Sequence, residues 1–293
     1  MRRKVNGVLL LDKPVGPSSS AVLQAVKHLL NAHKAGHAGT LDPLASGLLP
    51  LLFGEATKFA QYGLEAAKEY VAEVRLGAAT DTGDAEGTVI EQRPVAVDEA
   101  TLERALAGFR GEIRQVPPMY SALKKDGRPL YALARAGQTV DREARLVTIH
   151  EMELLSREEE LLRLRIRCSK GTYVRQLAAD LGLALGTVAH LAALRRTAVA
   201  GLRLDQAVTL EDFQALGEPS RLAWLLPPER LLEHLPRVEL EESAAARFRS
   251  GQAVRPAGLR PGPARVYSGN ALLGVGKASS AGELQPTRLV ASG

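Results

Sequence analysis

Short apolar runs broken by turn formers fill the first fifty residues of the chain. Val8 to Leu11 reads as a strand that stops at Asp12-Lys13-Pro14-Val15-Gly16-Pro17, a turn by composition. Ser18 to Ser20 then offer N-caps to a helix whose apolar face is Val22, Leu23, Val26, Leu29 and Leu30. That pattern fades by Asn31, and Gly36 to Gly47 is too irregular for a helix and too rich in turn formers for a plain strand. Tyr70 to Gly77 alternates as a strand does and ends in a loop, Thr80 to Gly87; a capped helix follows near Asp98 to Gly108.

Gln115 to Arg145 mixes prolines, lysines and a short helical patch around Leu130 to Ala136, which predicts a surface insertion. The cleanest strand comes next: Leu162, Leu164, Ile166 and Cys168 alternate with Arg163, Arg165 and Arg167, one face apolar and one basic. It leads through Ser169-Lys170-Gly171-Thr172 into a helix from about Tyr173 to Gly182. Beyond about residue 235, glycines, prolines and runs such as Ala271 to Val275 predict a small β module. Strands interleaved with helices, without a regular βαβ rhythm, favour an α+β mixed sheet.

Composition narrows the class. The chain has 293 residues with 45% apolar and 24% charged, a mix that supports a buried core and suits about two domains. No apolar run approaches the roughly 18 residues of a membrane span, and the run after Met1-Arg2-Arg3-Lys4 is too short for a signal peptide. One cysteine, Cys168, excludes an intramolecular disulfide and a cysteine-based zinc site. A cytoplasmic enzyme or binding protein fits. The net charge of +5 is unevenly spread. Residues 161–203 carry eight bases against one acid, 204–245 nine acids against three bases, and 246–293 seven bases against one acid. Two basic blocks flanking an acidic stretch suggest two surfaces that meet one polyanion.

Most candidate motifs lead nowhere. His33 and His37 have the spacing of a helical metal pair, but Gly36 breaks the helix and neither Cys nor an acid stands close by, so no metal site is predicted. There is no Gly-x-Ser-x-Gly, no phosphate loop at Gly171-Thr172, and Thr80 to Gly87 lacks the closing Glu of a calcium loop and reads as a turn. Two residues break local rules. Asp42 is flanked by Leu41 and Leu44 and held extended by Pro43; it is either the start of an Asp-Pro turn or a carboxylate that needs a partner. Arg175 falls in the first turn of its helix, where the helix dipole disfavours a cation unless a carboxylate faces it.

The segments that hold these residues form a set. Gly7-Val8-Leu9-Leu10-Leu11-Asp12-Lys13-Pro14 opens it, and Ala35-Gly36-His37-Ala38-Gly39-Thr40-Leu41-Asp42-Pro43-Leu44-Ala45-Ser46-Gly47 follows with Gly54-Glu55-Ala56-Thr57-Lys58. Lys68-Glu69-Tyr70, Pro117-Pro118-Met119-Tyr120-Ser121-Ala122-Leu123-Lys124, Cys168-Ser169-Lys170-Gly171-Thr172-Tyr173-Val174-Arg175 and Leu194-Arg195-Arg196 complete it. In this order they resemble the TruB family of bacterial tRNA pseudouridine synthases, over nearly the whole chain. Ala38 and Ser46 depart from the Thr found in the family pattern, away from the reactive positions.

The resemblance implies the pseudouridine synthase fold, a mixed and largely antiparallel sheet with flanking helices, over residues 1–230, with an RNA-binding insertion at about 122–145. A small PUA-like β-barrel over 231–293 would follow. It implies isomerisation of the T-loop uridine at tRNA position 55 by base flipping, with no cofactor, no metal and no guide RNA. Asp42 would be the nucleophile, Arg175 its partner, and Tyr70 would lie against the uracil and help remove the C5 proton. Tyr173 and Leu194 would touch substrate, and His37 would help occupy the space the flipped nucleotide leaves or contact the loop. The basic strand face Arg163, Arg165 and Arg167 would share in gripping the RNA. The partner would be the T arm of tRNA, bound by a cytoplasmic monomer without an obligatory protein partner and away from membranes. Two alternatives stand beside this: a T-arm binding or folding protein, and a guide-RNA-dependent synthase of the same fold.

Overall fold

Burial on one face or on two separates the strands of this protein. In the computed structural model, which describes residues 2–121, 123–125 and 127–290, the chain begins β1 (Gly7–Lys13), α1 (Ser19–Leu29), β2 (Ala35–His37), β3 (Ala45–Phe53), α2 (Ala60–Glu65) and β4 (Lys68–Leu76). The hairpin β5 (Ala78–Thr80) and β6 (Val89–Gln92) leads to α3 (Glu99–Phe109) and β7 (Gly111–Gln115). The insertion carries β8 (Lys124–Lys125), β9 (Arg128–Pro129) and α4 (Leu130–Arg135); its expected first residue, Ala122, lies outside the described residues. Then come β10 (Arg145–Glu158), β11 (Leu161–Cys168), α5 (Val174–Ala184), β12 (Ala189–Val199), β13 (Leu202–Arg203), β14 (Val208–Thr209), α6 (Leu210–Ala215) and α7 (Glu218–Ala223). The last part is β15 (Arg237–Glu239), α8 (Glu242–Arg249), β16 (Gly262–Ser268), β17 (Ala271–Ala278) and β18 (Leu284–Leu289).

Ten strands form one sheet in the order β14-β1-β3-β12-β4-β11-β10-β7, with β2 added to β3 and β13 to β12. Only β1 with β14 and β3 with β12 run parallel, so the sheet is mixed and largely antiparallel. Strand β3 is buried on both faces, which is why its sequence from Gly47 to Phe53 is an apolar run rather than an alternation. Leu49, Leu51 and Phe53 pack with Val22, Leu23 and Val26 of α1 on one side; Leu48 and Leu52 pack with Phe59 and Tyr62 on the other. Ser18 caps α1 by accepting the Ala21 N–H at 3.2 Å. Strand β11 is buried on one face, where Leu162, Leu164 and Ile166 meet α3 and α5. On its exposed face Arg165 and Arg167 pair across to Glu153 and Glu151 of β10, so two of the three arginines expected to face RNA already have carboxylate partners.

The C-terminal strands form a four-stranded sheet, β15-β16-β17-β18, with α8 against it. It is PUA-like in being a small β module, but no closed barrel forms among the described residues, and α8 left no clear mark in the sequence pattern. This sheet is not loosely attached. Val275 of β17 shares a core with Val8, Leu10, Phe59, Leu231 and Leu232. Around that seam Tyr62 Oη and Thr287 Oγ1 lie 3.1 Å apart, and Lys58 Nζ donates to the Leu289 carbonyl at 3.2 Å.

Leu231 is fully buried at the seam (0% exposed). Leu231→Ala is therefore expected to cost about 2–4 kcal/mol in urea denaturation, by lost burial and the cavity left behind. Both sheets should unfold in one transition. Two separated transitions, or a loss under about 1 kcal/mol, would show that the seam does not join the two parts.

Candidate active site

The segment from Ala38 to Leu44 has no regular secondary structure, yet a hydrogen bond reaches its backbone at nearly every residue. Ala38 N–H donates to the Pro50 carbonyl at 3.0 Å. Arg196 reaches up from β12 and donates to the carbonyls of Gly39 (3.1 Å), Thr40 (3.3 Å) and Leu48 (2.8 Å). Ser19, the first residue of α1, holds Leu41 twice: its hydroxyl accepts the Leu41 N–H at 2.8 Å and donates to the Leu41 carbonyl at 2.9 Å. The Pro43 carbonyl accepts from Gly16 N–H at 2.9 Å, and the turn that carries Gly16 is fastened by Lys13 Nζ to the carbonyls of Pro14 and Pro17, each at 2.8 Å. Finally Ala45 N–H returns to the Asp42 carbonyl at 3.1 Å, closing Asp42-Pro43-Leu44-Ala45 as a β-turn. Both readings of Asp42 hold at once: it starts an Asp-Pro turn, and the turn presents its carboxylate.

Arg196 is the strangest member of this set. It is 1% exposed, and none of the hydrogen bonds found for it goes to a carboxylate. Burial lowers its pKa, and the Tyr70 phenol beside it works in the opposite direction. A buried cation satisfied by carbonyl dipoles is tolerable only where the donors have fixed partners. Gly47, opposite Arg196 in the β3–β12 pairing, has φ +100°, and a Cβ there would collide with the Arg196 backbone.

The carboxylate of Asp42 faces Arg175, whose Nη2 lies 3.0 Å from Asp42 Oδ2. The same guanidinium sends Nη1 to Asp84 Oδ2 at 3.2 Å and to the Thr82 carbonyl at 3.3 Å, and Nη2 also to the Tyr120 carbonyl at 2.7 Å. Side-chain exposure ranks the three charges: Asp42 52%, Arg175 11%, Asp84 4%. The cation in the first turn of α5 is thus balanced chiefly by a buried acid that the sequence showed only as part of a turn. Asp84 is itself fixed, accepting from Thr82 Oγ1 at 2.6 Å and Glu86 N–H at 3.2 Å, and its loop is bonded to β12 through Leu191. The start of α5 has no side-chain cap of its own. Gln115, at the end of β7, takes that role: its amide accepts the Tyr173 N–H at 2.8 Å and donates to the Tyr173 carbonyl at 3.1 Å.

These elements enclose a cavity of about 210 Å³. Asp42 and Arg175 form its charged side, Tyr70, Leu194, Ala45 and Val174 supply aromatic and apolar surface, and Tyr173, Thr40, Thr172 and Ser121 supply hydroxyls. Of the six residues singled out in the sequence, five line this one cavity. His37, at the end of β2, is not among the lining residues; its Nδ1 is buried without a hydrogen bond, and burial, helped by Arg196, lowers its pKa. Burial raises the Tyr70 pKa, with Arg196 opposing, and also raises that of Tyr173. Sequence reasoning missed Asp84, Arg196, Ser19 and Gln115 as parts of the site. Among the described residues no three His, Cys, Asp or Glu side chains converge as metal ligands, and no helix is long and apolar enough to cross a membrane.

Comparison with known proteins divides the chain into three matched stretches. Residues 27–174 match the TruB family pseudouridylate synthase (N terminal domain), 175–233 the tRNA pseudouridylate synthase B C-terminal domain, and 236–290 the pseudouridine synthase II TruB, C-terminal. The tRNA pseudouridine synthase B of Azoarcus sp. (strain BH72) is 53% identical over 291 residues, covering 99% of this chain and 97% of that protein. That of Burkholderia lata is 57% identical over 295 residues, covering 99% of this chain and 91% of that protein. Among solved structures, a Cbf5-Nop10-Gar1 complex matches with a TM-score of 0.74 and 33% identity over 93% of this chain and 78% of that one. An H/ACA RNP bound to a substrate RNA containing 2′-deoxyuridine matches with a TM-score of 0.74 and 29% identity, covering 98% of this chain and 85% of that one.

Two expectations follow from the geometry. Asp84→Asn removes a buried charge from Arg175 and should slow the chemical step about 10–100-fold, roughly 1.4–2.7 kcal/mol, while RNA affinity changes little. Rapid-quench single-turnover rates check this, and an unaltered rate would make the Asp84 contact purely structural. The second concerns Lys68, whose ammonium is buried on the carbonyls of Leu64 (2.5 Å) and Ala66 (2.6 Å). Burial pulls its pKa down to about 8 from 10.5. Between those values the unfolded chain binds more protons than the folded one, so stability should rise with pH across this window relative to Lys68→Met. Urea denaturation of both proteins from pH 7 to about pH 10 tests it; parallel curves would contradict the shift.

Proposed function

The chain belongs to the TruB family of pseudouridylate synthases, and we propose that it converts uridine 55 in the T loop of tRNA to pseudouridine, with Asp42 as nucleophile and without guide RNA. The enzyme is an isomerase acting on tRNA uridine. The observation that carries the assignment of residues is the single cavity in which Asp42, Tyr70, Tyr173, Arg175 and Leu194 meet, with Asp42 and Arg175 3.0 Å apart. Its volume, about 210 Å³, is below the roughly 300–1,000 Å³ of drug-sized sites and suits one flipped base rather than a stretch of RNA.

The reaction breaks the bond from ribose C1′ to uracil N1 and makes one from C1′ to C5. A proton leaves C5, N1 ends protonated, and no atom is gained or lost. Asp42 serves the sugar side, its carboxylate aimed by Arg175 3.0 Å away. Tyr70 and Leu194 hold the detached uracil between them while it turns. Burial keeps Tyr70 a neutral phenol, which suits a ring lying flat on the base; Arg196 beside its hydroxyl is the group that favours the oxygen when the C5 proton is to be taken. Tyr173 lies beside the sugar, and His37, off the cavity, is left to meet the loop around the flipped nucleotide.

In this reading residues 1–230 form the catalytic part, with the insertion at about 122–145 and the module 231–293 gripping the rest of the RNA. The same reading makes the protein a cytoplasmic monomer that acts on the T arm of tRNA without an obligatory protein partner. Guide-free action is supported by whole-chain identity above 50% to tRNA pseudouridine synthase B proteins, against about 30% for the Cbf5 structure and the H/ACA RNP.

The test incubates the purified protein with unmodified tRNA and with a T-arm stem-loop, without guide RNA, and maps pseudouridine. Conversion at the T-loop uridine is expected. Asp42→Asn should slow it at least about a thousandfold with RNA affinity largely kept. If that variant kept a tenth of wild-type turnover, a loss of only about 1.4 kcal/mol, the nucleophile would lie elsewhere. Arg175→Met should also act on the chemical step; an equal fall in affinity with an unchanged single-turnover rate would make Arg175 a phosphate contact instead.

A further inference from the structure

One polar group in the cavity has no use so far. Ser121 lines it, is 5% exposed, and its hydroxyl has no hydrogen-bond partner among the described residues. Its backbone is fully engaged: the N–H donates to the Met119 carbonyl at 2.9 Å and the carbonyl accepts from Tyr131 N–H at 3.1 Å. Of the other hydroxyls in the lining, Thr172 donates to the Ser169 carbonyl at 3.0 Å. Among the described residues the Tyr173 phenol is the competitor for this hydroxyl: Ser121 is near enough for hydrogen bonding between the two to favour the phenolate. Yet no contact of Ser121 Oγ there meets hydrogen-bond geometry, so the serine is within reach of the phenol but not held by it. A buried unpaired hydroxyl is costly and rare, and when it faces a binding cavity the usual reason is a ligand.

Ser121 is also held in fixed relation to the reacting groups. The carbonyl of its neighbour Tyr120 accepts from the same Arg175 nitrogen that contacts Asp42. A uracil taken out of water brings two carbonyl oxygens that lose their water donors. Both terminal nitrogens of Arg175 are already engaged, and Tyr70, Leu194, Ala45 and Val174 present ring or aliphatic surface.

We propose that the Ser121 hydroxyl donates a hydrogen bond to an exocyclic oxygen of the flipped uracil, making the residue just before the insertion part of base recognition. This rests on the uridine-isomerising function above. The experiment crosses enzyme variants with substrate variants, so that the coupling between one hydroxyl and one oxygen is measured directly. Wild type, Ser121→Ala and Ser121→Cys are given T-arm stem-loops carrying uridine, 2-thiouridine or 4-thiouridine at the target, sulfur being the weaker acceptor. Single-turnover rates at saturating RNA, RNA affinity and thermal midpoint are read for each.

With uridine, Ser121→Ala should be about 3–10-fold slower with affinity and midpoint unchanged, and Ser121→Cys should fall between. One thio-substrate should slow the wild type similarly yet slow Ser121→Ala no further, which identifies the oxygen. Wild-type rates in Ser121→Ala, or losses that simply add for both thio-substrates, overturn the inference while leaving the function standing. A wild type that leaves uridine unconverted overturns the function and this inference with it.

Discussion

A guanidinium buried without a carboxylate holds this site together. Arg196 must find acceptors in the protein interior, and it finds them in the carbonyls of Gly39, Thr40 and Leu48. That choice brings an irregular strap, the edge of β3 and the Tyr70 hydroxyl into one arrangement, and Asp42 follows two residues beyond Thr40. Neutral dipoles that only partly repay the loss of water must be numerous and well aimed, so the strap cannot drift without leaving the cation unsatisfied. The bonds from Ser19, Gly16 and Pro50 then fix the rest of the strap, and the half-exposed carboxylate sits on a rigid mount.

Strand β11 was legible because the alternation of Leu162 to Cys168 follows directly from burial on one face, whereas β3, buried on both faces, gives an apolar run without a period and was not read as a strand. Asp42 and Arg175 were legible for the opposite reason, as violations: a carboxylate among leucines and a cation at a helix start. Asp84 was not, because Thr80 to Gly87 obeys every local rule for a turn, and only the docking of that turn on β12 buries the acid beside Arg175. Gln115 and Ser19 were hidden likewise. Each acts through a partner distant in sequence, and neither polar residue looks out of place where it stands. Helix α8 went unread because its short apolar face, Ala245 and Phe248, is too small to stand out from the turns around it.

The charge pattern needed the structure to be weighed. Eight bases against one acid in residues 161–203 looked like one RNA-facing surface. Arg165 and Arg167 instead meet carboxylates on β10, Arg175 meets two carboxylates at the site, and Arg196 is interior. Lys170, Arg195 and Arg203 meet carboxylates as well, so seven of the eight bases are paired or interior, and a linear count of charge overstates what the surface offers to a polyanion.

The short stretch between Gln115 and Tyr120 is tied at both ends to the start of one helix, through Tyr173 and Arg175. Its length is consequently a ruler. A residue added or removed there would shift the Tyr120 carbonyl by about 3.3 Å, the rise of an extended residue, and move it off Arg175. Among the described residues from Leu123 to Arg142, the hydrogen bonds found run within the insertion or to Pro117 and Ser121 rather than to the helix. Across related sequences, insertions and deletions should collect on the far side of Ser121, while the five-residue spacing from Gln115 to Tyr120 stays constant.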